Sequence, residues 1–261
     1  MLQDQKPSKF CYRYDIRTNL MKRLSNIQIP RSGFAIAHLR NRIFAIAGSN
    51  VIQHTPINSI ESYDITKDEW QHFTPLPDIR ISPTAVVFQD RFIYVIGGFN
   101  YRYDQSKISD LIRLDLNQQI PAWQTIKIQN NVIPDGCQIG ALPYINPEKP
   151  NIHQLLICGG LNGILFDDIY KLEVTIDEVE NQPHDQDSQS QFSAQCIQLN
   201  QKLKSPDRLY FNQWLSQDQK HHSTNWILVG RESLHLFQFD KDLTQVKETS
   251  INEQNYKKLI E

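Results

Sequence analysis

Tyr101, Arg102 and Tyr103 stand just behind the Gly97-Gly98 pair that ends the apolar run "RFIYVIGG" at 91–98. Tyrosine and arginine combine contact area with a directed hydrogen-bonding group, which is the chemistry of a binding hot spot. A second reading has the two tyrosines packing on a neighbouring loop while Arg102 pairs with Asp104. Bond-making chemistry has no comparable signature. The sequence contains no glycine-rich phosphate loop, no G-x-S-x-G elbow, no H-E-x-x-H and no paired C-x-x-C. His221 and His222 are adjacent, so on a strand they point apart and joint metal ligation is awkward. Their surroundings, "SQDQKHHSTN", read as a solvated loop.

The elements that must position these residues recur. An apolar run closing on glycine occurs as "RIFAIAGS" at 42–49, "RFIYVIGG" at 91–98, "QLLICGG" at 154–160 and "NWILVGR" at 225–231, at spacings of about 50, 62 and 71 residues. Each is followed by a strand ending in an acid: "SIESYD" to Asp64, "SDLIRLD" to Asp115, "DDIYKLE" to Glu173 and "LHLFQFD" to Asp240. Trp70 and Trp123 come after the first two acids, and Val246 after the last. A proline turn and a short strand precede each copy, at Pro30-Arg31, Pro77 with Arg80, Pro134, and Pro206 with Arg208.

Four short strands per unit describe one blade of a β-propeller. The spacing predicts units at 31–74, 80–128, 136–200 and 206–248, and a polar tail over 249–261. The apolar second strand is expected innermost, with Gly48, Gly97, Gly98, Gly159, Gly160 and Gly230 ending it where backbones crowd near the channel. The third strand is expected to alternate, as Tyr63 does against Ser62 and Asp64. Trp70 and Trp123 are expected on the outer strand between blades, and each acid in a turn bond to nearby N–H groups. Residues 9–24 match only the second half of a unit, with Tyr14-Asp15 standing for Tyr63-Asp64 and Met21 for Trp70. Such a half blade should pair poorly or have a partner chain. Residues 176–195 are acidic, rich in Gln and Ser and poor in large apolar residues, which predicts a disordered insertion.

"VIGG", then "RLD", then "AW", with Arg80 ahead of the unit, resembles the kelch repeat. The resemblance covers nearly the whole chain, with Ala47 in place of a first glycine and Arg231 in place of a second. It implies an all-β, kelch-type β-propeller of four four-stranded blades plus an N-terminal half blade, either an incomplete ring or a five-bladed one. It also implies loops displayed on one propeller face. There Tyr101, Arg102, Tyr103, His54, Asn162 and Arg231 are candidate partner-binding residues, and Arg31, Arg80 and Arg208 are expected to bond between blades.

Proteins of this family serve as substrate receptors of ubiquitin ligases, as actin-associated proteins or as scaffolds. The ligase receptors usually carry an adaptor domain ahead of the propeller, so a receptor role here implies a separate adaptor chain. Some relatives of this architecture are enzymes. Copper radical oxidases would draw on His54, Tyr101, Tyr103 and Cys158, and sialic acid mutarotases on polar loop residues. The expectation is a non-catalytic scaffold that binds another protein and uses no cofactor.

Totals bound the remainder. The chain has 261 residues, a formal net charge of −2 and 21% charged residues. That is enough for a sizeable core and lacks the basic stripe of a nucleic-acid binder. "MLQDQKPSKF" has no apolar signal region, and no apolar run approaches the roughly 18 residues of a membrane span. Cys11, Cys137, Cys158 and Cys196 are scattered, as reduced and mostly buried thiols are. A cytoplasmic protein without membrane or nucleic-acid partners is expected.

Overall fold

The acid-ended strands need tight reversals, and their acids make them. In the computed structural model, Asp64 Oδ1 accepts from the N–H groups of Thr66 (3.0 Å) and Lys67 (3.1 Å). Asp15 Oδ1 does the same with Arg17 (2.9 Å) and Thr18 (3.1 Å), and Asp115 Oδ1 accepts from Asn117 (2.9 Å). Asn19 and Asp68 then take left-handed φ values of 55° and 56°, which amide and acid side chains tolerate. Side chains are described within residues 9–203 except 54, 101–109, 130–135, 147, 162–163, 176–192 and 201. Beyond them the backbone is described at 209–218, 223–230, 233–239 and 246–252.

The half blade is β1 (Cys11–Asp15) and β2 (Leu20–Leu24). The first blade holds β3 (Arg31–Ser32), β4 (Ala35–Leu39), β5 (Arg42–Ile46), β6 (Ser49–Asn50), β7 (Thr55–Pro56), β8 (Ile60–Asp64) and β9 (Glu69–Phe73). The second holds β10 (Thr84–Phe88), β11 (Phe92–Ile96), β12 (Leu111–Asp115) and β13 (Trp123–Ile126). The third holds β14 (Gly140–Tyr144), β15 (Ile152–Cys158), β16 (Leu161–Asn162), β17 (Ile164–Leu165), β18 (Asp168–Thr175) and β19 (Ser193–Lys202). The fourth holds β20 (Leu209–Asp218), β21 (Ser223–Gly230), β22 (Ser233–Phe239) and β23 (Val246–Asn252).

Each full blade is an antiparallel four-stranded sheet, in the orders β4-β5-β8-β9, β10-β11-β12-β13, β14-β15-β18-β19 and β20-β21-β22-β23. The register repeats, with Arg42 facing Asp64 and Phe92 facing Asp115. This is the blade architecture of a β-propeller, built without helices among the described residues.

The strands that meet from blade to blade are the first ones: β4 approaches β10, β10 approaches β14, and β14 approaches β20. The apolar-glycine strands β5, β11 and β15 therefore sit second, not innermost. They are continuously apolar because in-plane neighbours flank both edges and adjacent blades cover both faces. For the same reason the third strands β8 and β12 do not alternate in burial, whereas β18 alternates over much of its length. Glu61 and Ser62 in β8 and Arg113 in β12 are as buried as the apolar residues beside them.

One core joins the first and second blades through Phe44, Ile46, Val95, Ile112 and Leu114. Another joins the second and third through Phe88, Tyr94, Leu155 and Leu172. Two boundaries also move. β19 begins at Ser193, inside the expected insertion, whose residues 176–192 lie outside the described ones. β23 runs to Asn252, so pairing extends past 248 into the expected tail.

Candidate functional site

Second strands end, and first strands begin, at one face of the array, so the loops that follow β5, β11 and β15 share it with the lead-in segments. Ala47, Gly97 and Gly159 adopt left-handed φ values of 58°, 64° and 60°, and Gly48, Gly98 and Gly160 follow at 96°, 101° and 111°. The second position needs glycine on two counts. Its φ is strained for any other residue, and a Cβ on Gly48 would stand 2.6 Å from Ser32 O. The crowding comes from the lead-in segments, not from a central channel.

These glycines also stitch neighbouring blades together. Gly48 N–H donates to Arg80 O (2.8 Å) and Gly98 N–H to Gly136 O (2.9 Å), each in the next blade. A second seam runs beside the first. Ser82 N–H donates to Gly33 O (2.7 Å), and Gln138 N–H donates to Ser82 O (3.2 Å). Gly33, Ser82 and Gln138 share φ values of 55°, 53° and 55°, a repeat that residue types alone conceal.

The lead-in arginines fix the loops. Arg31 is buried; its guanidinium donates to Ala47 O (3.0 Å) where the loop leaves, and to Ser59 O (2.8 Å) where it returns. It also pairs with buried Glu61 at 2.7 Å, which in turn accepts from the N–H groups of Gln28 (2.7 Å) and Ile29 (3.0 Å). Burial lowers the pKa of Arg31 from its ordinary value, and Glu61 opposes that shift. Arg80 does the equivalent for the next loop, reaching Gly97 O at its start (3.3 Å) and Asp110 Oδ1 at its end (2.7 Å), with Asp78 also at 2.7 Å. Both guanidinium groups thus bond within their own blade, where side-chain bonds between blades were expected. Ser59 and Asp110 occupy the same position, directly before the third strand. That polar residue was the signal the sequence offered for the arginine's partner.

Tyr101, Arg102 and Tyr103 belong to the loop that Arg80 clamps, and lie outside the described residues with His54 and Arg231. Asn162 pairs with Ile164 in the β16–β17 hairpin. Cys158 is buried in the third blade, and Cys11, Cys137, Cys158 and Cys196 are all thiols rather than disulfides. Arg208, Pro206 and Pro134, and the adjacent His221 and His222, lie outside the described residues. Trp70 and Trp123 stand on outer strands and reach backward along the chain, donating to Ser25 O and Thr74 O, each at 3.1 Å.

The family model for the kelch motif matches residues 30–77, which take in the Arg31 clamp, the glycine strand and Trp70. Kelch-like protein 15 of Gallus gallus is 32% identical over 87 residues, covering 33% of this chain and 17% of that protein. Kelch-like protein 36 of Bos taurus is 26% identical over 95 residues, covering 36% of this chain and 15% of that one. This chain carries a kelch motif. A kelch repeat-containing protein of Dictyostelium discoideum is 26% identical over 156 residues, 52% of this chain and 22% of its own length. The kelch likeness thus spans less than a quarter of any of these relatives.

The kelch blades also hold a buried polar pair at the seam between the second and third. Tyr94 and His153 share a hydrogen bond of 2.6 Å between the hydroxyl and Nδ1. The imidazole stacks on Phe88 at 3.9 Å. Burial lowers its pKa to about 3, with Arg113 and Arg91 adding to the shift, so it is neutral near pH 7. Sequence reasoning missed it because a lone histidine in "NIHQLLICGG" carries no marker of a partner about 59 residues away.

Proposed function

We propose that this chain is a non-catalytic protein-interaction module that displays loops on one face of a rigid kelch array. The observation that supports the reading is the arginine clamp. Arg31 and Arg80 each tie the two ends of a second-to-third-strand loop, so the loop tips are presented from a fixed base. Preorganised loops bind with less ordering cost than free ones. The kelch resemblance offers three kinds of partner: an actin surface, a ubiquitin ligase adaptor, or a scaffold component.

Affinity capture with the 261-residue chain, read by mass spectrometry, tests this. The comparison is the variant carrying Tyr101→Ala, Arg102→Ala and Tyr103→Ala. Partners lost with a variant that still unfolds cooperatively locate the site on that loop. Partners kept by both move the site elsewhere on the chain. A folded protein that captures no partner counts against the module.

A further inference from the structure

The seams between blades differ in what they bury. The first and second blades share an apolar core. The second and third also enclose His153, fully buried, whose Nδ1 meets the Tyr94 hydroxyl across the seam at 2.6 Å. Tyr94 O accepts from the Arg113 side chain as well. Its own hydrogen is therefore aimed at His153 Nδ1, and the neutral ring carries its proton on Nε2. That Nε2 is buried and has no hydrogen-bond partner among the described residues.

A second proton is poorly accommodated in this site. It would go on Nδ1 and displace the Tyr94 hydrogen, so that Tyr94 O would face two donors, His153 and Arg113. Apolar rings wall the imidazole: Phe88 stacks on it at 3.9 Å, and Phe92 meets it edge-on at 4.8 Å. Arg91 and Arg113 already stand over that Phe92 ring, 4.5 and 5.0 Å from its centroid. Asp115, the carboxylate beside them, is engaged by a two-pronged pair with Arg91 (2.9 and 2.7 Å). Within its own blade His153 lies opposite Val174. Lys171 and Glu173 pair with each other at 3.2 Å on the other face of that sheet, where Glu173 also accepts from Gln154. Tyr170 and Cys196 line the seam too, but burial pushes both up to about 12, so neither changes charge in acid. Burial, then Arg113 and Arg91, holds the imidazole of the closed seam at about 3, below its ordinary 6.5. An imidazolium is accommodated here when the seam opens to water.

We propose that the seam between the second and third blades is released by acid: a second proton on the His153 ring parts these two blades while the first and second stay together. Release is driven by proton binding, because the open ring regains its ordinary affinity for a proton. The closed seam is fully favoured above about pH 6.5 and loses up to about tenfold per pH unit on the way down to about pH 3. Gly98 N–H donates to Gly136 O across the same seam, so opening frees the base of the Arg80-clamped loop from the third blade. This goes beyond the loop-face module, and its test needs no partner.

Four backbone amides report on the two seams separately. Gly98 and Gln138 donate across the second-to-third seam (2.9 and 3.2 Å), and Gly48 and Ser82 across the first-to-second (2.8 and 2.7 Å). Amide exchange of the full chain is followed residue by residue by NMR at pH 7 and pH 5, and corrected for the intrinsic pH dependence of exchange. Protection of Gly98 and Gln138 should fall roughly 20-fold between the two, while that of Gly48 and Ser82 changes less than about threefold. His153→Gln keeps an oxygen that accepts from Tyr94 but takes no proton, and should remove the fall. His153→Phe, which keeps the ring stacking, should do the same. Tyr94→Phe should loosen the seam at both pH values and keep the fall, because the titrating ring remains. Cys196, in the core of this seam, should react faster with dithiodipyridine at pH 5 than at pH 7 in the wild type, and not in His153→Gln. Equal losses at all four amides, no loss at Gly98 and Gln138, or a loss that both His153 variants retain each overturns the proposal.

Discussion

The first and second blades hold their loops by one device, and the third holds its loop by another. Arg31 and Arg80 reach from the lead-in segment to both ends of the loop. In the third blade Gly136 takes that place, and a Cβ there would stand 2.9 Å from a ring carbon of Phe166. The loop closes on itself instead, with Leu161 facing Leu165 across β16–β17. Cys137 and Leu161 exchange backbone bonds of 3.1 and 3.0 Å. A long clamped loop leaves its tip available for display; a short hairpin filled by an aromatic ring does not. The difference teaches that the same fold spends its lead-in residue either on holding a loop open or on packing it shut.

The comparison breaks most sharply at Arg31→Met. It leaves Glu61 buried without its charge partner, and a loss of about 3–5 kcal/mol in urea unfolding is expected. Gly97→Ala comes next. Its methyl would stand 2.6 Å from Gly136 O at a left-handed φ, and a loss of about 1–3 kcal/mol should follow. The same site in the first blade tests the reasoning in reverse. Ala47 already accepts that φ, so Ala47→Gly relieves strain but removes a buried methyl, and stability should shift by less than about 1 kcal/mol. Gly136→Ala presses its methyl on the Phe166 ring and on Leu161 O, 3.1 Å away, without a left-handed φ, and a loss of about 1–2 kcal/mol is expected. A cost as large as that of Arg31→Met would erase the distinction between the blades.

The seams can be compared by pH. The first and second blades meet through an apolar core, and the second and third also through Tyr94 and His153. The folded pKa of His153, about 3, lies below its unfolded value of 6.5, so the unfolded chain binds its proton first. Stability should therefore hold above about pH 6.5 and fall by up to about 1.4 kcal/mol per unit on the way down to about pH 3. Denaturation midpoints across that range should lose much of this slope in His153→Phe. An unchanged slope would show that other groups carry the acid sensitivity.

Much of the fold was legible in sequence because a propeller repeats its local chemistry. The apolar-glycine runs, the acids at Asp64 and Asp115 and the outer tryptophans at Trp70 and Trp123 each encode a strand, a turn or an edge within a few residues. The period of about 50 residues ordered them into blades. The loop face was legible as a place, through the glycines that open each loop. Its partners were not, since Arg31 meets Glu61, and Arg80 meets Asp110, some 30 residues away.

By itself the sequence determined the strands, their order and the half blade at the start. Only the tertiary structure decided which strand lies innermost, and which arginines clamp a loop rather than bridge blades. It alone brought His153 against Tyr94. Local pattern reports what a residue can do in its own turn or strand. A choice between partners tens of residues apart is made where the blades pack, by burial that satisfies some polar groups within one blade and others only across a seam.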